Sequence, residues 1–289
     1  MRENIVLTPE QTDNLLEKIA EEISLKTFDS NNQQLLKSLV ECLGDTRGMT
    51  RLRAAQTLGE IGQPATPFLL DALANHSNVV VRRAAAKTLT LIADPQTIPQ
   101  LIESFLNDED TVVQGSSVGA LARMGEAGVL PLLDILGSPD VPESAKGHAA
   151  WALAFIGAKA KEHLYQAVSH YSPVVRAAVV GAIAKVAAEE PDQDLLDILV
   201  KSLSDSNSNV RCETAAVLGN LTYKPAIPNL VELLNHVDEE TRKSSALSLM
   251  KIGDPMVLEP LQEALNSESA TAVQSIIKLA ISQLERTRD

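Results

Sequence analysis

The segment KGHAAWALAFIG, residues 146–157, holds the only tryptophan of the chain, Trp151, between His148 and Phe155. A spacing of i, i+3 and i+7 puts the three rings on one side of a helix. Such a stripe has two readings: a surface for a flat ligand or a protein partner, or a core position filled by a large ring. Residues 148–171 also hold His163, Tyr165, His170 and Tyr171, so three of five His and two of three Tyr fall in this stretch. These last four are expected on a second helix and its turn. Among nucleophiles, Cys42 and Cys212 lie far apart, with no CxxC and no metal-ligand spacing. Cys42 is expected to be buried. Cys212 reads either as a thiol that holds a ligand or a metal cluster, or as an inert half-buried side chain; the second reading is favoured. The chain has no Gly-rich phosphate loop, no HExxH and no nucleophile elbow. The residue types therefore point to binding and positioning, which can themselves accelerate a reaction.

The elements that carry these residues repeat. Eight copies of one motif begin at 50, 81, 113, 145, 175, 210, 241 and 273, at intervals of 31, 32, 32, 30, 35, 31 and 32 residues. Examples are VRRAAAKTLTLIA (81–93) and VRCETAAVLGNLT (210–222). With the first residue of each copy numbered 0, offsets 0, 4, 5, 7, 8 and 11 are mostly apolar or small, one face of a helix. Between copies lies a helix that often opens with Pro, as in DPQTIPQLIESFLND (94–108), KPAIPNLVELLNH (224–236) and DPMVLEPLQEALNS (254–267). Asp94 and Asp254 are predicted N-caps with Pro95 and Pro255 at the first helical position. Gly62, Gly125, Gly157 and Gly253 are predicted to end the motif helices in a left-handed cap. Each unit is thus a helical hairpin that cannot bury both faces alone, so neighbours must stack. The predicted fold is all-α: an α-solenoid of about eight HEAT-like hairpins in a curved superhelix. It is expected as one solenoid over residues 1–289, with a capping region at 1–30 containing a charged amphipathic helix at 8–23, stacked repeats at 31–270, and a capping helix at 271–289.

Composition agrees. Apolar residues make up 45% and aromatics 3%, so small aliphatic side chains must build the core. A net charge of −13 argues against nucleic acid and anionic membranes as partners. The longest apolar run, 149–158, is about half of what a bilayer crossing needs. With no signal-peptide pattern at the amino terminus, the expected setting is a reducing cytoplasm.

Two rows of residues then need a role. Offset 1 reads Arg51, Arg82, Gln114, Lys146, Arg176, Arg211, Arg242 and Gln274. It is either a cationic ladder for an anionic ligand or, the favoured reading, a structural row bonded to carbonyls and to Asp45, Asp108, Asp110, Asp140, Asp205 and Asp238 of the preceding turns. Offsets 2, 3, 6 and 10 point away from the core and are expected to line a concave groove. They carry seven cations (Arg53, Arg83, Lys87, Arg123, Lys185, Lys243 and Lys251) against Glu60 and Glu213. Gly119 and Gly181 flank Trp151 on the adjacent copies and should leave a ring-lined slot with His148, Trp151 and Phe155; Cys212 falls at offset 2. A basic groove around an aromatic suits an acidic protein surface or a planar carboxylate.

The pattern D-P-x-x-I-P-x-L-…-V-R-x-x-A-A-x-x-L-x-x-I over about 32–285 resembles HEAT repeats, and among them the phycobilisome-lyase HEAT-like repeats. HAAWALAFIG at 148–157 matches only thinly the YYAAWWIG-like segment of one lyase subunit. The resemblance implies a scaffold or chaperone-like adaptor for phycobiliproteins or the phycobilisome. Its alternatives are a bilin lyase or lyase subunit acting with phycocyanobilin or a related bilin, and an iron–sulfur assembly partner. The implied partners are a phycobiliprotein subunit or a second HEAT-repeat subunit.

Overall fold

The computed structural model describes residues 7–286, and among these there are helices and turns but no strand. The amino-terminal six residues of the predicted capping region and the last three of the predicted capping helix lie outside them. The first helix, α1 (Pro9–Ser24), opens on a capping box: the Thr8 hydroxyl accepts from the Gln11 backbone N–H at 3.2 Å, and the Gln11 side chain accepts from the Thr8 N–H at 2.8 Å. Its Leu16 and Ile19 are buried.

Eight hairpins follow among the described residues. They are α2 (Gln33–Glu41) with α3 (Gly48–Ile61), α4 (Thr66–Asn75) with α5 (Val79–Ile92), α6 (Ile98–Asn107) with α7 (Thr111–Arg123), and α8 (Val129–Gly137) with α9 (Glu143–Ile156). Then come α10 (Lys161–Ala167) with α11 (Pro173–Glu189), α12 (Gln193–Ser202) with α13 (Ser208–Asn220), α14 (Ile227–Leu233) with α15 (Glu239–Ile252), and α16 (Leu258–Ser267) with α17 (Thr271–Arg286). The second helix of each pair is the motif helix. The expected terminal cap, α17, is the motif helix of the eighth hairpin. Its Lys278 is exposed in place of the small or apolar residue of most other copies.

The chain divides into two compact units, Met1–Ile135 with Asp140–Ala152, and Leu136–Pro139 with Leu153–Asp289. In the first, α3 packs on α5 and α5 on α7; in the second, α11 packs on α13, α13 on α15 and α15 on α17. Offset 4 is buried in every copy: Ala54, Ala85, Ser117, Ala149, Val179, Thr214, Ser245 and Ile277. Offset 10 is exposed in every copy, so the predicted wheel has the right phase. Some motif helices touch closely. A Cβ at Gly219 would stand 2.9 Å from the Ser248 Cα, and one at Gly59 would stand 3.1 Å from the Leu91 Cβ. Only glycine fits the first contact without a shift of backbone.

Gly62, Gly125, Gly157 and Gly253 all have positive φ, between 61° and 74°; Gly253 takes the predicted left-handed cap, whereas Gly62, with ψ of −136°, caps its helix outside that region. Ala93 and Thr222 take the same place in their copies with φ of 51° and 50°. The Pro-opened segments begin one turn earlier than their α-helices. Asp94 accepts from the Gln96 N–H at 3.0 Å and Asp254 from the Met256 N–H at 3.1 Å, each capping a 3-10 turn that leads into α6 or α16. Proline at the first position suits a tight turn as well as a helix.

The offset-1 row is structural, in a geometry more regular than expected. Arg51, Arg82, Gln114, Arg176, Arg211, Arg242 and Gln274 each donate to the carbonyl six residues earlier, at 2.6–3.1 Å. Lys146 differs and pairs with Glu143 at 3.0 Å. The carboxylate partners lie in the turn of the following repeat, which corrects the expectation of a preceding one. Arg82 forks onto Asp108 (2.9 and 3.2 Å), Arg176 onto Asp205 (2.7 and 2.8 Å) and Arg242 onto Glu268 (2.6 and 2.9 Å). Such two-point contacts fix orientation as well as adding strength.

The Arg176 guanidinium holds the Asp205 carboxyl below the ordinary range, and Arg242 does the same to Glu268. Both carboxylates therefore stabilise the fold at neutral pH. Their contribution is lost as pH falls below about 4, through the depressed folded-state values. We expect the urea midpoint to hold from pH 7 to about pH 5 and to decline below about pH 4, less steeply in Arg176→Ala; a pH series of urea titrations checks this. Arg82→Ala leaves the Asp108 carboxylate, whose side chain is 9% exposed, without its fork. It should cost about 2–3 kcal/mol, and Arg82→Lys less, as read by chemical unfolding.

Candidate functional site

Offsets 2, 3, 6 and 10 of the motif helices contribute nothing to the buried face, and their side chains decide what the surface can do. Trp151 and Phe155 are 53% and 51% exposed, one turn apart on α9. The enclosed-core reading of Trp151 is excluded. His148 is exposed too, but its ring turns edge-on to the buried Phe105 on α6, with centroids 6.4 Å apart and planes at 83°. It is thereby held at one wall.

The two predicted glycine gaps differ. At Gly119 on α7 a Cβ would meet nothing within 4 Å, and the same holds at Gly115 on α7 and Gly147 on α9. At Gly181 a Cβ would meet the Glu213 carboxylate at 3.6 Å, so a side chain reaching over from the next repeat lies against that gap. The open positions are therefore Gly115 and Gly119 on α7 and Gly147 on α9, four residues before Trp151, all in the first unit. Each of the three lowers helix stability by about 1 kcal/mol relative to alanine, with no close neighbour inside the chain that requires glycine.

The charge of the face also changes. Arg83 is held by Asp110 at 2.5 Å, Lys185 by Glu189 at 2.8 Å and Lys243 by Glu240 at 3.3 Å. Lys251 donates to the Asn220 side chain at 2.7 Å. The predicted excess of seven cations over two acids was too large, because Asp110, Glu189 and Glu240 sit at offsets outside that count. Arg53, Lys87 and Arg123, all in the first unit, remain exposed and outside the ion pairs found among the described residues. Glu60 and Glu213 are exposed as well, and partial burial raises the Glu213 carboxyl above its ordinary value.

Cys212 is half-buried on α13 and Cys42 fully buried; they belong to different units. The Cys42 thiol donates to the Ser38 carbonyl, and burial pushes its pKa up to about 11, which leaves it a poor nucleophile. Among the described residues no group of three or more His, Cys, Asp or Glu is placed to hold a metal ion.

The histidines gained a role that spacing did not reveal. His76, His170 and His236 each accept, through Nδ1, the backbone N–H two residues on (Asn78, Ser172 and Asp238) at 3.0–3.1 Å. Asp45, Asp108, Asp205 and Glu268 do the same with their carboxylates at the equivalent turn position, at 2.8 Å. The signal was present: every one of these residues stands five positions before its motif copy. Tyr165 lies under the Lys161 ammonium, 5.7 Å from its ring centroid, and Lys161 pairs with Asp192. Tyr171 stacks obliquely on His170. These residues belong to α10 and its turn, as expected.

The model of HEAT repeats matches residues 66–143 and 196–282, and that of the PBS lyase HEAT-like repeat matches residues 50–75. The chain is 37% identical over 279 residues to the bilin biosynthesis protein MpeU of Synechococcus sp. strain WH8020, covering 96% of this chain and 94% of that protein. It is 28% identical over 165 residues to the bilin biosynthesis protein PecE of Nostoc sp. strain PCC 7120, covering 54% of this chain and 63% of that one. Among solved structures, Kap121p bound to Ste12p aligns with a TM-score of 0.60 at 16% identity, over 98% of this chain and 38% of that one, a likeness of fold alone. No helix among the described residues is long and apolar enough to cross a membrane.

Trp151 contributes to the surface and little to the stack. Trp151→Ala should change stability by less than about 1 kcal/mol and leave the far-ultraviolet circular dichroism unchanged. A loss several times larger would return the ring to a packing role.

Proposed function

The chain belongs to the HEAT-repeat family that includes the bilin biosynthesis protein MpeU, and on that premise we propose that it is a binding scaffold in bilin biosynthesis, acting on phycobiliproteins. The observation that carries this reading is the similarity to MpeU along nearly the whole of both chains. A shared repeat alone would argue only for a fold. The proposed ligand is an open-chain tetrapyrrole such as phycocyanobilin, and the proposed protein partner is the phycobiliprotein subunit that receives it.

The exposed motif-helix residues suit that task. The Trp151 indole offers a flat π surface to a conjugated chromophore, and the open backbone at Gly119 and Gly147 lets a planar group approach. Lys87 and Arg123 can neutralise its carboxylates. Held this way, the chromophore would be screened from water on one side and oriented for transfer. A lyase would need little more from this chain than the same positioning, because the thiol that attacks belongs to the acceptor protein.

The lone tryptophan makes the test direct, since all indole fluorescence comes from Trp151. Titration with phycocyanobilin should quench it and red-shift the pigment band, and the loaded protein should co-elute with a phycobiliprotein subunit. No spectral change at tens of micromolar pigment, together with no co-elution, would remove this reading.

A further inference from the structure

The cations left over on the first unit form a row. Arg53 is on α3, Lys87 on α5 and Arg123 on α7, at offsets 3, 6 and 10, which share one face of the motif helices. The next motif helix, α9, carries Trp151 at offset 6. Packed helices lie about 8–10 Å apart, so the two packed steps from α3 to α7 span roughly 16–20 Å. That length, with Trp151 on the helix that follows, is already about five or six residues of extended polypeptide. The row carries three positive charges against the single exposed Glu60, in a chain whose net charge is −13.

We infer that this face of the first unit docks an extended acidic segment of a partner polypeptide, with a large apolar side chain set against Trp151. Charge selects the occupant. Exposed cations with no carboxylate of their own attract a chain of Asp and Glu, raise its association rate and reject a basic chain. The aromatic end supplies the desolvated anchor that a purely ionic contact lacks. The bare backbone at Gly115 and Gly119 lies on α7, which packs on the Lys87 helix and precedes the Trp151 helix in the order of motif helices, where a segment crossing α7 must pass. A Cβ at either glycine would stand in open space, which is the space that the partner backbone would fill.

This inference deepens the proposed role by naming the chemistry of the protein partner, and its test is separate from the pigment titration. The probe is a fluorescein-labelled peptide of about twelve residues, alternating Asp and Glu around one central Phe. Its counterpart has Lys in place of every acid. Anisotropy is measured with the whole chain at about 50 and about 300 mM salt. The acidic peptide should bind, at least ~10-fold more weakly at the higher salt, and the basic one should not. Lys87→Glu with Arg123→Glu should weaken binding by about tenfold or more. Gly119→Leu should do the same, while Gly119→Ala should melt no lower than the wild type. Lys278→Glu on α17 should stay within about twofold of the wild type.

Equal binding of the two peptides, no binding of the acidic one, or indifference to the double charge reversal would each overturn the inference. If the acidic peptide binds as described and phycocyanobilin does not, the docking face stands and the pigment role falls.

Discussion

The stack depends on one contact: in seven of the eight motif copies, the side chain at the copy's second position reaches back six residues to a carbonyl in the turn before it. That carbonyl sits in a tight connection between helices, where backbone groups have no helical partner and must be satisfied by something. Arginine satisfies it with one nitrogen and keeps two more for a carboxylate in the following repeat, as Arg82, Arg176 and Arg242 do. One guanidinium therefore closes its own turn and sets the spacing to its neighbour. Gln114 and Gln274 close the turn through the same carbonyl contact. Arg211 takes an intermediate course, bonding the Asp205 carbonyl at 2.8 Å and the Thr241 hydroxyl at 3.1 Å. Its successor turn carries His236 where others carry an acid, so the next available oxygen is used.

Much of this was legible in the sequence, because helical periodicity and capping are local. The interval of the motif, the buried offsets and the glycine stops all follow from residues within one repeat. Even the role of offset 1 was readable, since the row of Arg and Gln is too regular for chance. What the sequence did not disclose is which repeat a long side chain reaches. The carboxylate that Arg82 grips is 26 residues later, and no helical wheel orders residues on different wheels. The same blindness explains Gly181. A missing side chain suggests a gap, yet Glu213 of the next helix lies against it. It also explains the charge count, for Asp110, Glu189 and Glu240 approach the face from offsets that the wheel assigns elsewhere.

The histidines were harder to read for a chemical reason. An imidazole with an unprotonated Nδ1 and a carboxylate oxygen can both accept a backbone N–H across two residues. At the turn they are interchangeable as acceptors, although their charges differ. His76, His170 and His236 thus fill the place of aspartates, and the presence of His170 among the rings of 148–171 is a turn requirement. His76 completes the arrangement by presenting Nε2 to Glu41 at 3.3 Å. Three of the five histidines are explained by backbone geometry; of the other two, His163 lies on α10 and His148 stands on the exposed face of α9.

Separating the stack from the surface makes a specific demand on glycine. Positions that hold the repeats together are fixed by depth, and there a glycine such as Gly219 is kept because a Cβ would stand 2.9 Å from the Ser248 Cα of the next motif helix. On the exposed face no such contact operates, and alanine would make each helix more stable. Glycine at 115, 119 and 147 therefore lowers the stability of its own element without relieving any crowding. A stack built from many small, repeated contacts can tolerate that loss, because each hairpin draws stability from both neighbours. The proposed docking face gives these glycines a use outside the chain, in the close approach that a bare backbone permits. The glycines that weaken α7 and α9 stand on the helices that carry Arg123 and the exposed indole, and the proposed partner, by reaching that backbone, would account for all three features at once.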